Sequence, residues 1–426
     1  MEKKFFPIKQ GVACQLKWTW NTIRLYEGVS SSCHRVTPIY LDASTFDNFH
    51  NDEKWISQRK LMLAGKFPQA GCQYCEKIEN NGGISDRLTH LKIPNLYPAE
   101  LDIRPMEVVV TPRILEVFLD NVCNMSCVYC DESNSSQIQN ENLKFGHIKI
   151  NNVTPSNLIV AKHPDFDLLT EKFFSYLGNN YQQLRKLNVL GGEPFFQPSF
   201  PRLIDFIENN NNRDLELTIV TNLKVSKKKL EAFVDKMKPI VAQRKISRLD
   251  ITASLDCFGK EQEYVRYGMN LEQWKENFEF LAKHRWITLN VNSTITSLTI
   301  KTLPDMIRYL NSLRKERKIF HSFSLVDGRW FLHPDIFDGD FFKNDFENIL
   351  KEMPDTTEWD KNQKYYMEGI IKYISSCSAS LEKLQELTNY LDEIDYRRNL
   401  NWRAVFPWLD QHTMLAKNSS HVLKDK

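Results

Sequence analysis

The stretch ILEVFLDNVCNMSCVYC, residues 114–130, carries the decisive pattern. Its first six residues, Ile114 to Leu119, are an apolar run of strand length. Cys123, Cys127 and Cys130 follow, separated by three and by two residues. A short loop with that spacing can turn three thiolates to one side. Three thiolates suit a cubic iron–sulfur cluster in which one iron keeps no protein ligand. An open metal position is where a small molecule can bind. A structural zinc ion is the competing reading, but it normally takes four protein ligands, and no fourth Cys or His stands nearby in the chain.

Outward from this loop, strand and helix signals alternate between about residues 107 and 326. Apolar or β-branched runs recur at 187–190, 215–220, 249–255, 287–295 and 319–326. Helical patterns separate them at 200–207, 228–237, 271–283 and 304–313, the first with Ser199 as N-cap and Pro201 in its opening turn. Six strands with intervening helices predict parallel β/α units, two short of a closed eightfold barrel. The expected fold is therefore α/β, an open, partial (β/α)6 barrel. Residues 131–165 are polar and rich in Asn and Ser, with a few apolar residues at 148–153, and read as an insertion over the strand ends. From about 330 onward the pattern is helical, notably Ile370–Tyr396, and predicts a C-terminal helical cap.

Short polar motifs close several of the strands. The second strand runs into Gly191-Gly192-Glu193-Pro194. Two glycines let backbone approach a ligand closely, and a glutamate can accept a charge-assisted hydrogen bond from an ammonium. Thr221-Asn222 follows the third strand. Ser254-Leu255-Asp256 ends the fourth, with Tyr264, Arg266 and Gly268 shortly after. In this order, the CxxxCxxC loop with the aromatic Tyr129 before its last cysteine, the GGEP turn, the TN pair and the SxD…R pattern resemble the radical S-adenosylmethionine (radical SAM) superfamily. The resemblance implies that Cys123, Cys127 and Cys130 hold a [4Fe–4S] cluster. It implies that Tyr129, Gly191, Gly192, Glu193, Pro194, Thr221, Asn222, Ser254, Asp256 and Arg266 surround S-adenosylmethionine. It also implies reductive cleavage of that cosubstrate to a 5′-deoxyadenosyl radical that abstracts hydrogen from an unreactive C–H bond. For Arg266, pairing with the cosubstrate carboxylate and a surface ion pair stand even. Asp256 is read as a ligand or a strand-end cap.

Four more cysteines lie earlier. Cys14 is followed after thirteen residues by Gly28, and Gly28 after four by Cys33; Cys72 and Cys75 form a CxxC pair. This arrangement is similar to the accessory-cluster domains called SPASM and, in its low cysteine number, to the shorter twitch form. It implies that Cys14, Cys33, Cys72 and Cys75 fully ligate an auxiliary [4Fe–4S] cluster. Such domains mostly follow the barrel, whereas here the cysteines precede it. A four-cysteine zinc site is the alternative. Trp18 is read as a shield for the cluster or as core. Cys257 and Cys377, the remaining two of nine, are expected to be small buried side chains. The expected divisions are 1–105 for the twitch-like module, 106–328 for the barrel and 329–426 for the helical region.

Composition narrows the function. The 426 residues carry 56 Lys and Arg against 54 Asp and Glu, a net charge of +2. That balance speaks against a general nucleic-acid or membrane-surface binder. No run approaches the length of a membrane span, and the charged start MEKKFFPIKQG lacks an apolar core behind it, so a cytoplasmic protein is expected. The basic runs 227–229 and 314–318 are read as solvated faces. A peptide or protein substrate is the leading expectation. A small molecule dehydrogenated with the auxiliary cluster as electron acceptor is the second, and a non-catalytic metal-binding scaffold the third. A flavodoxin- or ferredoxin-like electron donor is implied, and no general acid or base is identifiable.

Overall fold

The computed structural model describes residues 12–69, 71–80, 85, 87–88, 107–149 and 161–422. Eleven strands are present among them: β1 (Trp20–Arg24), β2 (Val29–Ser31), β3 (Ile39–Tyr40), β4 (Ile114–Phe118), β5 (Ser126–Cys127), β6 (Lys186–Leu190), β7 (Glu216–Thr221), β8 (Arg248–Ser254), β9 (Arg266–Tyr267), β10 (Ile287–Ile295) and β11 (Phe320–Leu325). The chain divides into two compact units. Unit 1 comprises residues 1–121, 161–219 and 235–249; unit 2 comprises 122–160, 220–234 and 250–426.

Unit 1 is built on strands in the order β3-β2-β1-β4-β6-β7. The pairs β1–β4, β4–β6 and β6–β7 are parallel, and β1–β2–β3 is an antiparallel meander. The parallel strands present Ile23, Leu115, Val117, Leu187, Val189, Leu217 and Ile219, all buried, on one face. The helix Ser199–Asn209 buries Phe200, Leu203, Ile204 and Ile207 at the i, i+3, i+4, i+7 spacing of an amphipathic helix. Unit 2 holds β8-β10-β11 and the small antiparallel pair β5–β9. Here β10 alternates buried and half-buried residues along its whole length and runs parallel to β11. The result is a mixed α/β protein with largely parallel sheet, as expected. All six anticipated strands are present within one residue of their expected bounds. Among the described residues no helix is long and apolar enough to cross a membrane.

Several details differ from the sequence reading. The expected module 1–105, in which no strand or helix is anticipated from sequence, contains β1 to β3 and the helices Gln15–Thr19, Glu53–Leu63 and Gln73–Asn80 among its described residues. The alternation there is hidden because Asn21 and Ser30 are buried and bond each other, Ser30 Oγ donating to Asn21 Oδ1 at 2.7 Å. Part of the polar segment 131–165 is a helix, Ser136–Phe145, capped by Ser135; residues 150–160 lie outside the described set. The helix expected over 370–396 is two, Glu358–Ile374 and Leu381–Arg398, each with its own cap, Thr357 and Ser380. Cys377 sits half-buried in the break, while Cys257 is fully buried. The basic run 314–318 is not simply solvated: the Arg317 guanidinium donates to the carbonyls of Leu281, Ala282, His284 and Ile287.

Candidate functional site

In unit 2 the three-cysteine loop is held from several sides. Cys123 N donates to Ser136 Oγ at 3.1 Å, and Ser135 Oγ donates to Met125 O at 2.7 Å. Asn124 and Lys224 exchange hydrogen bonds, Nδ2 to the Lys224 carbonyl at 2.7 Å and Nζ to the Asn124 carbonyl at 3.1 Å. Cys127 pairs with Arg266 in the β5–β9 ladder. Beyond it, Tyr390 Oη donates to Val128 O at 2.5 Å and Arg329 Nη2 to Cys130 O at 2.6 Å. Neither Tyr390 nor Arg329 was singled out from sequence. Both come from the helical C-terminal stretch, and only their contacts reveal them.

A charged triad backs the loop. Asp256 is buried and accepts from Arg266 Nε (2.8 Å) and Nη2 (2.9 Å), from Tyr129 Oη (2.6 Å) and from Thr294 N (2.8 Å). Gln262 Oε1 receives the backbone N–H of Asp256 and of Cys257. Arg266 is therefore no surface residue: its partner is Asp256, and its Nη1 reaches Cys127 Sγ at 3.9 Å. Burial, the largest single influence, works against the guanidinium's charge, but Asp256, Tyr129 and Cys127 together outweigh it and hold Arg266 well above its ordinary pKa. Asn222 behaves similarly at the other end, its Nδ2 lying 3.9 Å from Cys123 Sγ and 2.9 Å from Asn124 Oδ1. Thr221 Oγ1 accepts from Leu223 N and supports the turn in which Leu223 takes φ of 59°. Ser254 stands half-buried at the end of β8.

The three thiols lie close enough to influence one another. Cys130 is pushed well above its usual pKa by burial, then by Asp131, Cys127 and Cys123. Cys127 is raised by burial, with Arg266 acting the other way. Thiols so placed stay protonated until a metal replaces the proton. Three converging sulfurs, with N–H donors of Arg266 and Asn222 aimed at two of them, fit a cluster with one iron left open. Among the described residues no three His, Cys, Asp or Glu side chains are gathered as for one metal ion. A four-iron cluster places each thiolate on a separate iron, so it does not require that closeness.

In unit 1 the GGEP turn has Gly191 at φ 79° and Gly192 at φ 51°. A Cβ on Gly191 would stand 2.5 Å from the Phe118 ring, so only glycine fits. Glu193 is buried and caps the short 3-10 helix Pro194–Phe196 through Phe195 N.

The four earlier cysteines of unit 1 also lie near enough to influence one another. Cys14 is pushed up to about 12, first by burial and then by Cys33, with Cys72 adding to it. Cys72 is raised by burial, with Cys33 and Cys75 acting in the same direction. Gly71, at φ 91°, brings the Cys72 turn against the Arg35 carbonyl, which a Cβ there would meet at 2.1 Å. Trp18 and Trp55 are buried with Cys14 and Cys72 in one apolar cluster. Beside these thiols lies a buried cation that sequence reasoning missed, Lys17, with a second buried cation, Arg59, bonded to its backbone. Lys17 donates to Ser32 Oγ (3.0 Å) and Gln58 Oε1 (2.5 Å). Arg59 donates to the carbonyls of Lys17, His50 and Val108 and to Asn51. All these partners are uncharged, yet buried charges need a counter-charge. Lys17 is lowered by burial, and Cys72, Cys33 and Cys14 act in the other direction, so thiolates on a bound metal would supply a counter-charge beside it. An anionic tetrathiolate centre fits this donor set.

No family model matches the chain. Relatives from two strains of Methanococcus maripaludis, each described as "Probable GTP 3′,8-cyclase", are 24% identical over 213 residues, 50% of this chain and 56% of theirs. One from Methanocaldococcus jannaschii with the same description is 23% identical over 263 residues, 60% of this chain and 72% of its own. The chain thus spans about half the length of the Methanococcus relatives it matches. GTP 3′,8-cyclase is a radical SAM activity. With the ordered motifs already described, these similarities support a relationship to the radical SAM superfamily.

Proposed function

We propose that the protein is a radical SAM enzyme with two iron–sulfur clusters, acting on a small polar molecule. The observation that carries this is the three-thiol loop backed by Tyr129, Asp256 and Arg266. When bound, the open-iron cluster and S-adenosylmethionine supply a 5′-deoxyadenosyl radical for C–H abstraction. The chain's own residues have positional tasks. Asp256 has its acceptor positions occupied, so it fixes Arg266 and Tyr129 rather than meeting the cosubstrate itself. The Gly191–Gly192 turn offers close backbone approach, and Glu193 a carboxylate for the methionine ammonium. Pro194, Thr221, Asn222 and Ser254 complete the proposed cosubstrate surroundings.

Cys14, Cys33, Cys72 and Cys75 would hold the auxiliary [4Fe–4S] cluster, with Lys17 offsetting part of its negative charge. A tetrathiolate zinc ion is anionic too, so Lys17 does not choose between them; the metal count does. On this reading 1–105 is the auxiliary module, 106–328 the radical SAM core and 329–426 the cap, and a flavodoxin- or ferredoxin-like protein is the reductant. The relatives' description names a nucleotide, GTP, which supports a small polar substrate over the peptide expected first.

The test is anaerobic reconstitution, then assay of iron, sulfide and zinc, and of 5′-deoxyadenosine formed under strong reduction. About eight irons per chain, as two four-iron clusters give, with cosubstrate cleavage, is the expected result. About four irons with one zinc would make the early cysteines a structural site. Cluster loading without cleavage would favour the non-catalytic scaffold.

A further inference from the structure

Across unit 1, Thr22 of β1, Glu116 of β4, Asn188 of β6 and Thr218 of β7 stand in one register. Residues in register on neighbouring strands project to the same face. Their flanking neighbours Ile23, Val117, Val189 and Ile219 form an apolar row on the other face. A parallel sheet is ordinarily apolar on both faces because both are covered. This second face is polar although its row is at least nine-tenths buried, at 1%, 5%, 7% and 8% exposure in strand order.

Folding does not account for the row. Thr22 Oγ1 donates to Glu116 Oε1 at 3.1 Å, but Asn188 Oδ1 and Thr218 Oγ1 are buried without any hydrogen-bond partner among the described residues. Unsatisfied buried polar atoms cost stability, and Leu and Val of similar shape would avoid that cost. His34, directly after Cys33, stands 3.6 Å from Glu116 Oε1, so the Glu116 end of the row adjoins the four-cysteine set.

We infer that this row is a recognition wall for the substrate, taking a small ligand edge rich in N–H or O–H donors. The inference rests on the small-molecule reading above. The carboxylate of Glu116 and the amide oxygen of Asn188 can only accept, and the Thr218 hydroxyl can do either. Adjacent acceptors lie one strand spacing apart, about 4.8 Å. An amide, amine or polyol edge matches such a line of acceptors. A phosphate or carboxylate edge brings acceptors to acceptors and its charge to that of Glu116.

Formamide and formate, near-isosteres that differ in having and lacking N–H donors, make the test. Crystals of the full reconstituted chain are soaked in each. Formamide is expected with its nitrogen within hydrogen-bond distance of Asn188 Oδ1 and Thr218 Oγ1, and formate is expected to be absent. In Asn188→Leu and Thr218→Val the formamide is expected to disappear while Tm stays equal or rises. An empty row in saturating formamide, equal occupancy by formate, or a lower Tm in both variants overturns the inference. Cluster content and cosubstrate cleavage are measured on the same preparation, so a failure of the radical SAM reading shows there and leaves the soak result interpretable.

Discussion

Arg266 grips Asp256 through two parallel hydrogen bonds, Nε to Oδ2 and Nη2 to Oδ1, with both side chains buried. Removing one partner of such a pair strands the other charge, at a cost of about 3–5 kcal/mol. Asp256→Ala and Arg266→Met should each lower the unfolding free energy by that order, read from urea denaturation. The double variant should recover much of the loss, since no lone charge remains. A double variant with the summed loss of both singles would show that the two do not act as a pair. Tyr129→Phe should cost less, about 1.5–3 kcal/mol, for one hydrogen bond to a charged acceptor.

Gly71→Ala tests how the early cysteines are brought together. Its Cβ would meet the Arg35 carbonyl at 2.1 Å, and its φ of 91° is strained for any L side chain. The Cys72 turn must then move away from Cys33. Iron per chain should fall from about eight to about four, with cosubstrate cleavage retained. Full iron content in this variant would refute the arrangement.

Lys17→Met should weaken the same centre differently. The variant removes a buried ammonium with uncharged partners, so the cluster-free protein should be no less stable. With the cluster bound, a counter-charge is lost and the more anionic reduced form suffers most. The midpoint potential should drop by roughly 60 mV for each 1.4 kcal/mol of lost attraction, read by redox titration followed by electron paramagnetic resonance. An unchanged potential would remove Lys17 from this role.

Stability should decline as pH falls through the ordinary histidine range. His50 is held well below its usual pKa by burial and by Arg59, and His321 by burial and by Arg314. His333 and His412 are lowered by burial as well, although Asp335 and Asp338 oppose it. In that range the unfolded chain binds more protons than the folded one, so unfolding becomes easier with acid. The slope reaches about 1.36 kcal/mol per pH unit for each such histidine below about pH 6.5. Urea midpoints at pH 7.5 and pH 5.5 measure it, and His321→Asn should flatten the slope. Equal midpoints at the two pH values would contradict the assignment.

The parts legible in the sequence were those encoded over short distances. Cys123, Cys127 and Cys130 lie within eight residues, so the spacing itself announces a shared ligand. The Gly191–Gly192 pair declares a turn because only glycine takes those φ values without strain. The run 287–295 coincides with β10 because its alternation is regular. Other features depended on partners far along the chain. Whether Arg266 faced solvent or the site was settled by the β5–β9 pairing, which sets it beside Cys127. Lys17 looks like an ordinary surface cation until packing buries it beside Cys14, Cys33 and Cys72. Asn188 and Thr218 are unremarkable polar residues until strand register sets them side by side on one buried face. Local spacing specifies what a loop can ligate; which distant groups share a face or lose their water is decided by register and burial, energies summed over the whole fold.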